Sequence, residues 1–389
     1  MSSPALPPWL VQRLREHGGR VDFATYMAWV LHDADHGAYG SGHLQIGPAG
    51  DFTTSTSLGP CFIDGLLPQI LQALDCLAVA HSGPLSVVEW GPGEGHGAAQ
   101  LAAALLEARP SLRERLELVL VEPNPGLARR QAERLAAARL PWRHASTETL
   151  QRAPVVGLHL ANEVLDALPV RRLCRRDAVL RWLDVALCGC GNDLSLAWAE
   201  GKPLTTAELD ALRSLGSDPL SPAYGEGWTT EWNAAAGDWL TNAAGCLVSG
   251  WLWLIDYALE ARRYFSPRRA SGTLMTYYRQ QAGSDPFARP GQSDLTAHLC
   301  LELIIRQARA AGYEPLGQVR QGEGLLALGL AGRLAALSAP DGPDLAERLR
   351  RREAMLRLVD PAGLGDFRWI LLGLRAPAME PAMFAAPQP

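Results

Sequence analysis

From about Leu85 onward, short apolar runs alternate with stretches whose apolar positions recur every three or four residues. Runs of four to eight apolar residues read as buried strands, and the longer periodic stretches read as helices with one apolar face. The pattern predicts strands at 85–90, 117–122, 155–161 and 251–256, and helices at 97–108 and 126–139. Strands spaced by helices in this way predict an α/β fold with an open, mostly parallel sheet. The stretches 314–318, 324–329 and 367–373 are candidates for the last strands, and Asp294 is placed to cap a helix running to about Ala311.

Before Leu85 the pattern differs. Trp9–His17, Phe23–His32 and Phe62–Leu77 carry apolar residues at helical spacing, the last with Pro68 as a kink point. A glycine-rich loop spans 37–50. Residues 1–84 therefore read as an N-terminal helical cap, and 85–374 as the core. Residues 175–245, rich in Gly, Pro, Ser and Trp, interrupt the periodicity as an insertion between the fourth and fifth strands. The Pro/Ala-rich tail, 375–389, reads as disordered.

The most informative stretch is Val87-Val-Glu-Trp-Gly-Pro-Gly-Glu-Gly-His-Gly97. A strand that turns through glycines into a helix leaves no side chain between backbone and ligand, and it aims helix N–H groups at that ligand. The dinucleotide pattern G-x-G-x-x-G fits poorly: from Gly91 it ends on His96, and from Gly93 on Ala98. The spacing fits E-x-G-x-G-x-G, the pattern of S-adenosylmethionine (SAM) methyltransferases. Glu89, ending the first strand, suits a cationic ligand better than a phosphate. Glu122, ending the next apolar run, can accept both ribose hydroxyls, a feature SAM shares with NAD. SAM is the expected cofactor and NAD the runner-up, with Glu89, Gly91, Gly93, Gly95, Glu122 and Asn162 as the expected cofactor residues.

Composition narrows the function classes. The chain has 389 residues, 48% of them hydrophobic, and a net charge of −5, which argues against nucleic-acid binding by bulk electrostatics. Lys202 is the only lysine among 36 basic residues. Seven scattered cysteines fit a reducing compartment, and Cys188-Gly-Cys190 lacks the second pair of a zinc site. The longest uncharged run, 239–255, is too short and polar to span a bilayer. The expectation is a cytoplasmic protein, not integral to a membrane, with no metal.

Three further segments carry candidate chemistry. Ala161-Asn-Glu-Val-Leu-Asp-Ala-Leu-Pro169 follows the strand at 155–161, where residues face the ligand crevice of an open sheet. Asn162 can donate and accept hydrogen bonds. Glu163 and Asp166 are three apart, on one face if the segment is helical, and carboxylates can hold a cationic substrate and collect its proton. Acids at a helix start that complement its dipole are the alternative reading. Asp51, in Gly50-Asp-Phe-Thr-Thr54, lies in a loop able to reach over the cofactor or to form a solvated turn. Asp256 and Tyr257 end a buried strand at the same crevice. His32 and His36 have ligand-like spacing with no third group to complete a site, and His298 reads as a helix-face residue.

Taken in order, Gly50-Asp-Phe-Thr-Thr, Glu89-Trp-Gly-Pro-Gly-Glu-Gly, Ala161-Asn-Glu-Val-Leu-Asp-Ala-Leu-Pro, Ile255-Asp-Tyr, Pro290-Gly-Gln-Ser-Asp-Leu-Thr-Ala-His and Gln321-Gly-Glu-Gly-Leu-Leu-Ala-Leu-Gly resemble the MidA-type SAM-dependent methyltransferases. This family includes the mitochondrial complex I assembly methyltransferase. The resemblance runs from about Val21 to Leu374. It implies a class I methyltransferase (Rossmann-like) sheet and transfer to a protein arginine on an NADH dehydrogenase-like subunit. It also implies that Asn162, Glu163, Asp166 and Asp51 line the reaction centre, and it is compatible with a homodimer. Three segments depart from the family: Thr56-Ser57 replaces a common Pro-Glu, Gln280 stands where a histidine is frequent, and Leu364-Gly-Asp-Phe-Arg368 stands, as a milder change, for the family's Met-Gly-x-x-Phe-Lys. A small-molecule methyltransferase and a non-catalytic assembly factor of the same fold are the competing readings.

Overall fold

The computed structural model describes residues 5–42, 44, 47, 50, 54–191, 193–338 and 344–386. The first segment carries α1 (Pro8–Glu16), β1 (Arg20–Asp22) and α2 (Phe23–His32), followed by α3 (Cys61–Ala80). The chain then alternates β2 (Leu85–Trp90), α4 (His96–Ala108), β3 (Leu116–Val121), α5 (Pro125–Leu135), β4 (Trp142–His144), α6 (Thr147–Arg152) and β5 (Val155–Asn162). An excursion of β6 (Arg171–Arg176), β7 (Val179–Cys188), β8 (Ser195–Pro203), α7 (Thr206–Arg213) and β9 (Thr229–Trp232) precedes α8 (Ala235–Gly245) and β10 (Leu247–Asp256). Next come β11 (Ala258–Leu259), α9 (Ala261–Tyr264), a hairpin of β12 (Met275–Tyr278) and β13 (Gln281–Gly283), β14 (Asp294–Thr296), β15 (Leu299–Cys300) and α10 (Leu301–Ala310). The last elements are β16 (Glu314–Arg320), α11 (Gln321–Ala327), α12 (Leu330–Ala336), α13 (Leu345–Val359) and β17 (Arg368–Leu374).

Seven strands form the central sheet in the order β16-β17-β10-β5-β2-β3-β4. β17 runs antiparallel to both its neighbours, and the remaining pairs are parallel. This is the class I methyltransferase sheet expected from the sequence. Chain order reverses between β2 and β5, and ligands of open α/β sheets bind beside that switch point. β2 is buried along its whole length, polar Ser86 and Glu89 included, as a central parallel strand covered on both faces is. One sheet face packs on α3, α4, α11 and α13 through residues such as Phe62, Ile70, Leu101, Leu325 and Leu358, with Trp251, Trp253 and Trp369 at the centre. The other packs on α8 and α10 through Leu240, Leu252, Leu254 and Ile304. By length and composition α3 could cross a membrane, yet its apolar face lies in the first of these cores.

The structure redraws several boundaries. α3 is a layer of the core rather than part of the cap. β1 pairs with β7, so the N-terminal segment and the excursion share one antiparallel sheet. That excursion ends at β9, before α8, the crossover helix into β10. Residues 324–329 belong to α11 and its end, not to a strand. Leu325 and Leu328 sit at helical spacing toward the core, and a Cβ on Gly324 would lie 2.5 Å from the Trp369 ring. Asp294 does not cap a helix: it is buried in β14 opposite Tyr277, and α10 starts only at Leu301. The tail expected to be disordered is docked as far as Phe384. Met383 is fully buried, and the N–H groups of Ala382 and Met383 donate to Gln72 and Gln69 at 3.0 and 3.1 Å.

Candidate active site

At the C-terminal ends of β2, β3, β4 and β5 lies a cavity of about 770 Å3. Its floor is the turn after β2. Gly91, Gly93 and Gly95 have φ of 59°, 55° and 77°, the left-handed region where only glycine is unstrained. Gly91 and Gly93 line the cavity, and Gly95 starts α4 with no side-chain cap, leaving the first helix N–H groups uncapped. A Cβ on Gly91 would meet Val164 Cγ2 at 3.2 Å.

Two acids flank the turn. Glu89 is buried at the end of β2, and its Oε2 has no hydrogen-bond partner among the described residues. Burial without a donor raises its pKa to about 7. An orphaned acceptor of this kind matches a cationic ligand group. Glu122 follows β3. Its Oε1 accepts the Asn124 N–H at 2.9 Å, and its Oε2 accepts from Gln131 Nε2 at 3.1 Å. Burial nevertheless raises its pKa. Gln131 is fully buried and ties three strand ends together: it donates to Gly93 O at 2.7 Å and pairs with His144 Nε2 at 2.9 Å. Asn124 caps α5 by accepting the Leu127 N–H, and its amide holds the carbonyls of Tyr39 and Gly40 from the N-terminal segment. Trp90 and Trp239 meet edge to face at 5.1 Å in the cavity wall, and Trp90 Nε1 donates to His159 at 3.3 Å.

The remaining wall is the turn after β5. Asn162 and Glu163 line the cavity; Asp166 does not. The segment is not helical, so Glu163 and Asp166 share no helix face. Glu163 has φ of 55°, a conformation costing a non-glycine residue on the order of 1–2 kcal/mol. Three contacts hold it: its N–H donates to Ile255 O at 2.9 Å, and its Oε1 accepts the Ser55 N–H at 3.1 Å and the Asn162 amide at 3.0 Å. Burial, opposed by these bonds, raises its pKa to about 8. Asn162 Oδ1 has no partner among the described residues.

Behind Glu163 stands a second carboxyl layer. Asp256 Oδ2 accepts the N–H groups of Leu165 and Asp166 at 3.0 and 3.2 Å, and its Oδ1 accepts that of Tyr257 at 2.8 Å. Asp166 is buried beside it, and burial followed by the charges of Asp256 and Asp294 drives its pKa well above the usual carboxylate range. Burial also raises the Asp256 pKa, to about 7, against the three N–H bonds it accepts. Asp294 completes the layer, accepting the Tyr39 hydroxyl at 2.9 Å. Tyr257 stacks on His298 at 5.4 Å, and burial lowers the His298 pKa to about 4. His298 sits in the turn between β14 and β15, not on a helix.

Other expected residues fall in varied places. Asp51 lies outside the described residues. Thr56 lines the cavity, and Ser57 closes the short turn that presents the Ser55 N–H. Gln280 holds the loop before Asp51, donating to Gly47 O and Gly50 O at 3.1 and 2.9 Å. His32 and His36 do not converge: His32 lines the cavity and bonds Ala167 O at 3.1 Å, whereas His36 stacks on Trp9. Sequence reasoning missed Gln131, His32, Trp90 and Trp239 as site residues. Only the placement of Gln131 nine residues after Glu122, one helix face into α5, carried a usable signal.

A family model described as "Putative S-adenosyl-L-methionine-dependent methyltransferase" matches residues 67–319. The chain belongs to this family. Two crystal structures from Burkholderia thailandensis are similar over almost the whole fold. One, described as a "likely methyl transferase", was solved with S-adenosyl-homocysteine bound; it is 29% identical, with 99% of this chain and 98% of that chain covered and a TM-score of 0.82. The other, an uncharacterised protein of the same superfamily, is 28% identical, with the same coverage and a TM-score of 0.81. No curated protein matches. The cofactor of this methyltransferase is SAM, and the cavity fits it: a side-chain-free turn, an orphaned buried carboxyl at Glu89, and an acid after β3 at Glu122.

Proposed function

We propose that this methyltransferase acts on a protein arginine, on a subunit of a respiratory-type NADH dehydrogenase, and so supports assembly of that complex. The observation that carries the reading is Glu163: a carboxyl held in a strained backbone conformation at the cavity wall, with a pKa of about 8 and no protein partner for its Oε2 among the described residues. The partner rests on the resemblance of the ordered motifs to MidA-type enzymes.

Gly91, Gly93, Glu89 and Glu122 would hold SAM, which supplies an electrophilic methyl group on a sulfonium. Glu163 then accepts an N–H of the guanidinium and orients a nitrogen for in-line attack. As the new N–C bond forms, the S–C bond breaks with its electron pair going to sulfur. The nitrogen's excess proton passes to Glu163, whose pKa near 8 suits a base working close to neutrality. Asp166 and Asp256, buried behind Glu163 with raised pKa values, would back the turn that carries it, and Asp51 is assigned to the same centre by the resemblance alone. Most of the acceleration comes from holding the two reactants in line.

The test is transfer from methyl-labelled SAM to the co-expressed NADH dehydrogenase-like subunit, mapped by mass spectrometry. Label on an arginine supports the reading. Label confined to a metabolite fraction favours a small-molecule methyltransferase. No label anywhere, with SAM bound, favours the assembly factor.

A further inference from the structure

Among the described residues seven large apolar side chains are exposed, and three of them lie on α13: Leu345 (64%), Leu349 (55%) and Leu356 (49%). At 100° per residue they fall within an arc of about 40° and span about 17 Å along the axis. They are not spare core. α13 is anchored on its opposite side by Ala354, Met355 and Leu358, which are buried in the main hydrophobic cluster. The leucines form a narrow ridge facing away from the protein.

The charge around this ridge is unlike that of the chain. α13 carries five arginines against two glutamates, on a protein of net charge −5. Glu347 is shared by Arg350 and Arg351. Arg348, Arg352 and Arg357 have no ion-pair partner among the described residues. Arg352 and Arg348 lie on one flank of the leucine arc, and Glu353 followed by Arg357 and Arg350 lies on the other. Arginine stems can lie along an apolar boundary while their guanidinium groups reach anionic headgroups.

We infer that α13 docks this protein on an anionic lipid surface, its leucines entering the headgroup boundary and its arginines meeting the lipid charges. The observation favouring lipid over a protein partner is this arrangement on a single helix ridge: an apolar stripe on a helix with five arginines against two glutamates, with no groove and no aromatic anchor among the described residues of the ridge. The inference does not depend on the substrate assigned above.

The test is co-sedimentation of the full chain with sucrose-loaded vesicles of phosphatidylcholine alone or mixed with phosphatidylglycerol. The wild type is expected to pellet with the mixed vesicles, not the neutral ones, and to be released by high salt. Replacing two of the unpaired arginines, Arg352→Gln with Arg357→Gln, is expected to lower partitioning by about twenty-five-fold, each charge contributing about fivefold. Leu345→Ser with Leu349→Ser is expected to lower it about tenfold or more at unchanged charge. Because these side chains face away from the core, S-adenosyl-homocysteine affinity and Tm report that each variant is folded. No pelleting with mixed vesicles, equal pelleting with neutral ones, or leucine variants that bind like the wild type would each overturn the inference. Binding of the ridge to a protein partner with no affinity for vesicles would do the same.

Discussion

The two halves of the crevice are built in opposite ways. The cofactor half is mostly backbone: three left-handed glycines, uncapped helix N–H groups, and acids at the ends of adjacent strands. The half behind Glu163 is all side chain, with carboxyls and hydroxyls brought together from Tyr39, Glu163, Asp166, Asp256, Tyr257 and Asp294. A backbone cradle recognises what every SAM-dependent methyltransferase shares. On the proposed function, Glu163, the member of the side-chain cluster that carries an acid into the cavity, is where substrate would be recognised. The difference teaches that cofactor and substrate recognition should be separable by mutation.

The sharpest way to break that separation is Glu163→Gln. Methyl transfer is expected to fall by about 10^2–10^4, the range for losing a positioned general base, measured as single-turnover transfer of label. Next is Gly91→Val, which forces a β-branched residue into φ of 59° with Cβ 3.2 Å from Val164. Affinity for S-adenosyl-homocysteine is expected to drop about 100-fold, read by calorimetry. Glu122→Ala removes the acid expected to accept the ribose hydroxyls, and a loss of about tenfold in S-adenosyl-homocysteine affinity is expected, as for hydrogen bonds to a charged group.

Smaller effects come from pH. The pKa of Glu89 is raised to about 7 by burial, and a cationic ligand requires its ionised form. SAM affinity should therefore rise with pH up to about 7 and level off above it, by up to about tenfold per unit below that point. Glu89→Gln should flatten the profile. The smallest effect concerns Asp166, whose folded pKa is raised above its unfolded value. Over the range from the unfolded carboxylate pKa, about 4, upward, the folded state binds more protons, so this group's contribution to stability is lost as pH rises. Asp166→Asn should reduce the decline of Tm with pH across that range, with little change in S-adenosyl-homocysteine affinity.

The same contrast explains what was legible in the sequence. The core strands and the glycine turn were readable because each rests on neighbours in the chain: Val87-Val88 at the centre of β2 lead into Gly91, Gly93 and Gly95. The substrate side was not, because nothing local marks Asp294 as a partner of Tyr39, 255 residues away. Asp294 looked like a helix cap for the same reason that any acid before a periodic stretch does. The spacing of Glu163 and Asp166 suggested one helix face, but the positive φ at Glu163 turns them apart, one toward the cavity and one into the carboxyl layer. Likewise 324–329 is apolar enough for a strand, and only Trp369 packed against Gly324 shows why it is helical.

The most direct test of this division is the affinity of Glu163→Gln for S-adenosyl-homocysteine, measured by calorimetry beside its transfer rate. The account predicts affinity within about threefold of wild type while transfer is lost, since Glu163 belongs to the substrate half. Affinity lost in step with transfer would contradict it and make Glu163 part of the cofactor cradle.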